Sequence, residues 1–308
     1  MTNTRHTPVL LQESLEWLRP LSGQFVIDGT IGSGGHAERI IAGIDPDGTL
    51  LGVDWDPNAV ERAERRLAYQ AHSFRVSLKL VLGNYADIAR IMERERLPKA
   101  NGLLIDLGFS SDQLEDGGKG LSFLRDEPLD MRYGVDERNN RSAADIVRAS
   151  SEEELTRMFR EFGEERFAGR IARAIVAQRK QAPIATSREL AETVSRAIPG
   201  MFRFRGSIHP ATRVFQALRI VANHELENLS RLLSSIPEIL SPDGRAVFLS
   251  FHSLDDRLVK HAFREYERSG MGSVLTKKPV TPSAEEVIAN PRSRSAKLRA
   301  FHYHPIHS

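Results

Sequence analysis

Short apolar segments that end in aspartate constrain the fold of this chain more than any other sequence feature. Three of them lie in the first third of the sequence, at Phe25–Asp28, Leu50–Asp54 and Leu103–Asp106. A further apolar segment, Leu78–Leu82, lacks the acid. Helical patterns separate these segments, at Ala37–Ala42 and Asn58–Leu67 among others. Continuous apolar strands that alternate with helices are typical of a parallel sheet buried on both faces. We therefore predict an α/β fold.

The strand pattern stops in the middle of the chain. Residues 114 to 208 contain no convincing strand, and apolar residues recur there at helical spacing. Four helices are predicted in this stretch: Ala143–Val147, Glu152–Glu161, Phe167–Gln178 and Ser187–Ala197. We interpret 114–208 as a helical insertion for substrate recognition. It would interrupt a discontinuous domain formed by 1–113 and 209–308.

The last third is predicted to return to the sheet. One long helix is expected to begin at Pro210 and to stop at Pro237. The elements expected after it are the strand Arg245–Phe251, a helix around Leu258–Tyr266, and strands near Val274–Lys277 and Ala296–Tyr303.

The loop after the first strand is rich in glycine, which lets backbone approach a ligand closely. It runs from Asp28 to His36 with the sequence DGTIGSGGH. The NAD fingerprint requires Gly-x-Gly-x-x-Gly without a carboxylate beside the pyrophosphate, and this loop has neither property. S-adenosylmethionine carries two cationic groups and no phosphate, so the acids favour it. Asp54 at the end of the second strand suits the ribose hydroxyls of either cofactor.

Composition excludes several other chemistries. The chain contains no cysteine, which removes disulfides, cysteine nucleophiles and cysteine-ligated metals. No apolar run reaches the roughly 18–20 residues of a membrane helix, and the first residues lack the apolar core of a signal peptide. We expect a cytoplasmic protein without a metal ion and without membrane contact.

Basic residues cluster locally although the formal net charge is only +2. One cluster includes Arg203 and Arg205, and the other contains Arg292, Arg294, Lys297 and Arg299. Local clusters of this kind are what an RNA-binding protein with balanced total charge requires. These six residues are predicted to contact RNA phosphates.

Several longer strings resemble those of the MraW (RsmH) family of bacterial ribosomal RNA methyltransferases. They extend over nearly the whole chain: His6–Leu10, Asp28–His36, Asp106–Leu114, Pro128–Arg132, Phe162–Phe167, His209–Arg213, Phe215–Arg219, Ser250–Leu254 and Asn290–Ser295. The resemblance implies a Rossmann-like, class I methyltransferase domain interrupted by a helical domain. It also implies N4-methylation of a cytidine in the decoding region of 16S ribosomal RNA, with S-adenosyl-L-methionine as cofactor. By residue, it implies cofactor contacts at Gly34, Gly35, His36, Asp54, Tyr85, Asp106 and Gln113.

The N4 amine of cytosine is a poor nucleophile, so the reaction needs alignment and an acceptor for one proton. Asp106, with Ser110 and Ser111 close behind it, is one candidate source of acceptors. His252, at the end of a later strand, is a second, and Asp130 in the insertion is a third. The sequence leaves open which of them receives the proton.

Other functions remain as alternatives at this point. A catalytically silent RNA-binding assembly factor and a methyltransferase for another RNA or for DNA share much of the pattern. The expected partner is 16S ribosomal RNA within the 30S subunit, and the apolar face of the long helix is also compatible with a homodimer.

Overall fold

The computed structural model describes residues 8–109, 111–134, 141–200 and 209–305, apart from the side chains of Ser111, Asp112 and Glu115. The chain divides into two compact units. The first comprises the described residues up to Gly108 and those from Leu226 onward, and the second is Phe109–Glu225. The predicted insertion, 114–208, lies within the second unit, which begins earlier and ends later than that prediction.

A seven-stranded sheet forms the centre of the first unit. Its strands are β1 (Phe25–Asp28), β2 (Thr49–Asp54), β3 (Ser77–Leu82), β4 (Ala100–Asp106), β5 (Leu240–Ser250), β6 (Gly272–Val274) and β7 (Lys297–Tyr303). Their spatial order is β3-β2-β1-β4-β5-β7-β6. The first five strands are parallel, whereas β7 is antiparallel to both β5 and β6. The prediction of a Rossmann-like α/β fold is confirmed, and the antiparallel pair at one edge is an addition to it.

The helices are numbered along the whole chain. Those of the first unit are α1 (Leu11–Leu18), α2 (Gly35–Ile44), α3 (Pro57–Ser73), α4 (Ile88–Arg94), α11 (Glu225–Ser234, beginning at the unit boundary), α12 (Ile236–Ile239), α13 (Ser253–Arg268) and α14 (Ala284–Ala289). Those of the second unit are α5 (Ser111–Asp116), α6 (Ala143–Ala149), α7 (Glu152–Glu161), α8 (Ala168–Gln181), α9 (Ser187–Ala197) and α10 (Thr212–Ala222).

The sheet is buried on both faces, as its continuous apolar strands require. Residues of α1, α2 and α3 pack in one apolar cluster with the strands, and residues of α4, α11, α12 and α13 pack in another. Along β1, Val26 belongs to the first cluster, while Phe25 and Ile27 belong to the second. On α13, Phe263 stacks on Phe301 with ring centroids 5.1 Å apart. The stacking of Phe263 on Phe301 holds the second half of α13 against β7.

The second unit is helical, and its helix starts are encoded locally. Ser142, Ser151 and Thr186 each cap a helix with the reciprocal hydrogen bonds of a capping box. Besides its helices, the described part of this unit contains one isolated antiparallel β-bridge, between Pro128 and Thr186.

The prediction of one long helix from Pro210 to Pro237 is wrong. Helix α10 ends at Ala222, α11 begins at Glu225, and His224 between them has a positive φ of 50°. The Asn223 side chain explains the break. Its amide nitrogen donates to the carbonyl of Met131 at 2.8 Å, and its oxygen accepts from the backbone N–H of Tyr133 at 2.8 Å. The apolar period continues across this break, which is why periodicity alone misses it.

Candidate active site

The glycine-rich loop connects β1 to α2 in a conformation that needs glycine. Gly34 caps α2 with a left-handed φ of 82°, which side chains rarely adopt. Gly35 leaves no room for a side chain, because its Cβ would lie 2.4 Å from Cγ of Pro8. These two glycines serve the conformation and close packing of a loop that lies at the carboxyl edge of the sheet, where open α/β sheets bind their ligands.

Three carboxylates gather at this edge. Asp28, Asp54 and Asp106 end the neighbouring strands β1, β2 and β4. The Asp54 carboxylate accepts from the backbone N–H groups of Gly32 and Asp56, each at 2.9 Å. The Asp28 carboxylate accepts from the Thr30 N–H at 3.2 Å. These bonds orient two of the acids with respect to the loop.

Burial and mutual repulsion disfavour the ionised form of these acids. The pKa of Asp106 is raised to about 8, first by burial and then by repulsion from Asp28. Burial raises the pKa of Asp28 to about 7, against the hydrogen bond from Thr30 and with some repulsion from Asp54. The pKa of Asp54 is also raised, chiefly by burial. A cation bound among these groups would relieve the repulsion and return them to the ionised form.

One oxygen of Asp106 is available for such a ligand. Its Oδ1 is buried and has no hydrogen-bond partner within the described part of the chain. The backbone N–H of Asp106 donates to the Thr30 hydroxyl at 2.7 Å, which ties β4 to the glycine-rich loop. An unpaired buried acceptor beside two more acids fits a ligand that carries an ammonium and a sulfonium. The site therefore fits S-adenosylmethionine in charge.

His36 lies behind Asp106. Its ring is only 6% exposed, with Nδ1 3.9 Å from Oδ2 of Asp106 and Nε2 3.2 Å from the carbonyl oxygen of Val9. Tyr85 stands in a short 3₁₀ turn directly after β3, and its Cβ is close to Gly29 at the start of the loop. The sequence predicts cofactor contacts at both His36 and Tyr85. Both residues lie in the first unit, close to the glycine-rich loop, so their predicted contacts remain compatible with this structure.

His252 begins α13. Its Nδ1 accepts from the backbone N–H of Asp255 at 3.4 Å, and its Nε2 lies 2.8 Å from Oδ2 of the same residue. The preceding strand β5 runs beside β4, with Leu249 opposite Asp106. His252 is therefore a helix cap near the carboxyl edge of the sheet. Its predicted catalytic role stays a prediction.

The other predicted catalytic and cofactor residues belong to the second unit or lie outside the described residues. Asp130 forms a bidentate ion pair with Arg132, with contacts of 2.6 and 2.8 Å. Gln113 is 8% exposed. Ser110 and the side chain of Ser111 lie outside the described residues.

The six residues predicted to contact RNA differ in exposure and in their ion-pair partners. Arg292 and Arg294 are exposed in a 3₁₀ turn before β7, as a surface contact requires. Lys297 lies 3.3 Å from Oδ2 of Asp256. Arg203 and Arg205 fall outside the described residues.

Arg299 corrects the expectation of an exposed phosphate contact. It is 6% exposed on β7, and its Nε donates to Oδ1 of Asp256 at 2.6 Å. Both faces of β7 are buried, and the alternation of its side chains places Arg299 on the same face as Phe301, which packs against α13.

Two partners escaped sequence reasoning because they are distant in the chain. Asp256 holds Arg299 across 43 residues, and Glu286 of α14 accepts the backbone N–H of Leu10 at 2.8 Å. No local pattern signals either pairing. Thr30 was within reach of sequence reasoning, since it stands inside the glycine-rich string that resembles the family motif.

The described residues contain no group of three or more His, Asp or Glu side chains arranged to hold a metal ion. Within the same residues, no helix combines the length and the apolar character that a membrane span needs.

Comparison with known proteins points to one family. The model of the MraW methylase family matches residues 3–304. A ribosomal RNA small subunit methyltransferase H from Syntrophus aciditrophicus (strain SB) is 46% identical over 309 residues, covering 96% of each chain. The protein of that name from Desulfosudis oleivorans is 44% identical and covers 96% of this chain and 98% of its own. The one from Kosmotoga olearia is 44% identical and covers 97% of both chains.

Proposed function

The chain belongs to the MraW methylase family, and on that premise we propose that it methylates the N4 amine of a cytidine in the decoding region of 16S ribosomal RNA. The cofactor is S-adenosyl-L-methionine. The relatives' printed name supports small-subunit ribosomal RNA as the substrate. The observation that carries the choice of an amine is the buried, unpartnered Oδ1 of Asp106.

The bound cofactor supplies an electrophilic methyl group on a positively charged sulfur. We assign the ribose hydroxyls to Asp54, whose carboxylate is already oriented by Gly32 and Asp56. Gly34, which is buried, and Gly35, which is partly exposed, remain proposed cofactor contacts, and Asp28 adds negative charge beneath the loop. Tyr85, His36 and Gln113 complete the proposed cofactor contacts.

Asp106 acts on the nucleophile in this proposal. Its Oδ1 accepts a hydrogen bond from the N4 amine, which holds the nitrogen lone pair out of conjugation with the ring and in line with the methyl group. As the N4–C bond forms and the C–S bond breaks, the sulfur keeps the bonding electron pair and N4 loses one proton. The positive charge of the bound cofactor favours the ionised form of Asp106, which can then accept that proton. Ser110, Ser111, Asp130 and His252 remain proposed as further polar groups around the base.

The target amine is inaccessible to in-line attack inside a duplex, so the cytidine is bound single-stranded or extruded. We propose the helical unit for substrate recognition and the exposed Arg292 and Arg294 for phosphate contacts. The reaction is assigned to the 30S subunit in the cytoplasm. A homodimer stays a prediction, which sedimentation analysis of the purified protein would test.

The decisive experiment is transfer of a tritiated methyl group to purified 30S subunits that lack the modification, followed by nucleoside analysis. We expect label in N4-methylcytidine with the wild-type protein and almost none with Asp106→Asn, which keeps the shape of the side chain. Label in another nucleoside would overturn the choice of atom. Tight binding of S-adenosylhomocysteine without any transfer would point to a silent assembly factor or another substrate.

A further inference from the structure

A basic groove lies between α13 and β6, in the first unit. Its lining includes four cationic side chains, Lys260, Arg264, Lys277 and Arg299, and its volume is about 260 Å³. Phe263 and Val274 contribute apolar surface to the same groove. The basic sequence clusters point to Arg299 but to none of the other three cations.

The charge of this groove is only partly neutralised by the protein itself. Lys260, Arg264 and Lys277 have no ion-pair partner within 4 Å among the described residues. The one lining acid is Glu267, and its Oε1 accepts the backbone N–H of Val274 at 2.9 Å. Arg299 is held by Asp256 and forms the buried base of the groove. The three unpaired cations are therefore available to an anionic partner.

The cations come from helix α13, from the segment after β6 and from β7. Lys260 and Arg264 are one turn apart on α13, so their Cβ atoms are about 5–6 Å apart on one helix face. Lys277 follows β6, between Val274, which pairs with Phe301, and Val280, which bridges to Leu298. It therefore stands level with the middle of β7, where Arg299 lies. Several cations beside apolar surface suit a polyanionic strand better than a single small anion.

The position of the groove relates it to the candidate active site. Arg299 lies opposite Phe248 of β5, and Asp106 lies opposite the next residue, Leu249. Arg299 and Asp106 are thus at nearly the same height, on strands separated only by β5. Two strand spacings amount to about 10 Å. The side chains of Arg299 and Asp106 leave opposite faces of the sheet, because Phe248 packs in one apolar cluster and Leu249 packs in the other. The groove therefore lies on the face covered by α13, and an RNA strand whose target base reaches Asp106 would cross the carboxyl edge of the sheet for its flanking phosphates to reach the groove.

We propose that the groove formed by Lys260, Arg264, Lys277 and Arg299 binds the sugar-phosphate backbone of the RNA substrate outside the target nucleotide. This inference rests on the proposed function, because the partner is taken to be the RNA substrate. The phosphates contact the unpaired cations, and Arg299 adds positive charge from below. Nucleic-acid affinity gained in this way is sequence-independent and falls steeply with salt.

The test replaces Lys260 and Arg264 together by glutamine. The matched control is Arg90→Gln with Arg94→Gln, a pair with the same i,i+4 spacing on α4. Both control side chains are exposed, at 81% and 63%. Helix α4 ends shortly before β4 begins, so Arg94 lies near the amino end of that strand and not at the carboxyl edge of the sheet.

Two quantities are measured: the KM for 30S subunits in methyl transfer, and the salt dependence of binding to protein-free 16S ribosomal RNA. For the groove variant we expect a KM higher on the order of tenfold, with unchanged affinity for S-adenosylhomocysteine. The slope of log affinity against log salt should decrease in magnitude by about 1.4–1.8, which is about 0.7–0.9 for each of two lost contacts. The control variant should behave as wild type.

Other outcomes overturn the proposal in distinguishable ways. If the groove variant matches the control in both measurements while wild type methylates 16S RNA, the groove has no RNA contact and the proposed function stands. If KM rises only with intact subunits and the salt slope on free RNA is unchanged, the groove binds an acidic protein surface. If wild type transfers no methyl group to ribosomal RNA, the proposed function fails and this inference fails with it.

Discussion

His36 Nδ1 lies 3.9 Å from Oδ2 of Asp106, while the opposite ring nitrogen faces the carbonyl oxygen of Val9 at 3.2 Å. Because a carbonyl oxygen only accepts, it favours the tautomer with the proton on Nε2. The nitrogen that faces Asp106 is then an acceptor, which suits a carboxyl that is protonated near neutral pH. This arrangement connects the chain segment before α1 with the centre of the candidate site.

Asp106→Asn should change how stability depends on pH. The pKa values of Asp28 and Asp106, about 7 and about 8, exceed the unfolded value of 3.8. The folded protein therefore binds more protons than the unfolded chain between these limits, and the free energy of unfolding falls as pH rises from about 4 to about 8. Asparagine cannot ionise, so the variant should lose less stability between pH 6 and pH 8. Urea denaturation at both pH values measures this, with Asp47→Asn, at an exposed position, as control. Equal losses in Asp106→Asn and wild type would contradict the raised pKa.

Asp54→Ala should weaken the binding of S-adenosylhomocysteine. The substitution removes a proposed ribose contact and the acceptor that orients the backbone of Gly32. Hydrogen bonds to a charged group contribute roughly 1.5–3 kcal/mol, so Kd should rise about 10- to 100-fold. Isothermal titration calorimetry gives the affinity, and Glu61→Ala on the exposed side of α3 is the control. Wild-type affinity in the Asp54 variant would remove the ribose assignment.

Arg299→Ala should destabilise the fold. Removing this arginine leaves Asp256, which is 9% exposed, with the more exposed Lys297 as its remaining cationic partner. Breaking a buried ion pair costs about 3–5 kcal/mol, and the lower end applies here because Lys297 remains. Arg292→Ala, at an exposed position, should change stability by less than about 0.5 kcal/mol. Chemical denaturation distinguishes the two. If Arg299→Ala leaves the free energy of unfolding unchanged, the ion pair with Asp256 contributes nothing to stability.

Arg292→Ala combined with Arg294→Ala should raise the KM for RNA at unchanged cofactor affinity. Both side chains are exposed in the turn just before β7. The loss should shrink as salt increases, since phosphate contacts are screened. Initial rates at several 30S concentrations and two salt levels provide the measurement. If the kinetics equal those of wild type at both salt levels, this turn does not contact the substrate.

The sequence alone determined the elements whose signals are local. The strand Phe25–Asp28 and the helices Glu152–Glu161 and Ser187–Ala197 have the predicted bounds. Apolar period, capping residues and turn residues act within a few positions, so they can be read without knowing the neighbours. The acids at the ends of β1, β2 and β4 were identified for the same reason.

Only the tertiary structure decided what those residues face. Two helices form where the sequence predicts one long helix, because the Asn223 side chain binds a segment about 90 residues away in the chain. The tertiary structure also buried Arg299 against Asp256 and brought Lys260, Arg264 and Lys277 to one groove. Burial and the approach of charges from distant segments set the pKa values of Asp28 and Asp106. A local sequence pattern contains no information on burial or on the distance between charges. Both are set when strands that are far apart in the chain become neighbours in the sheet.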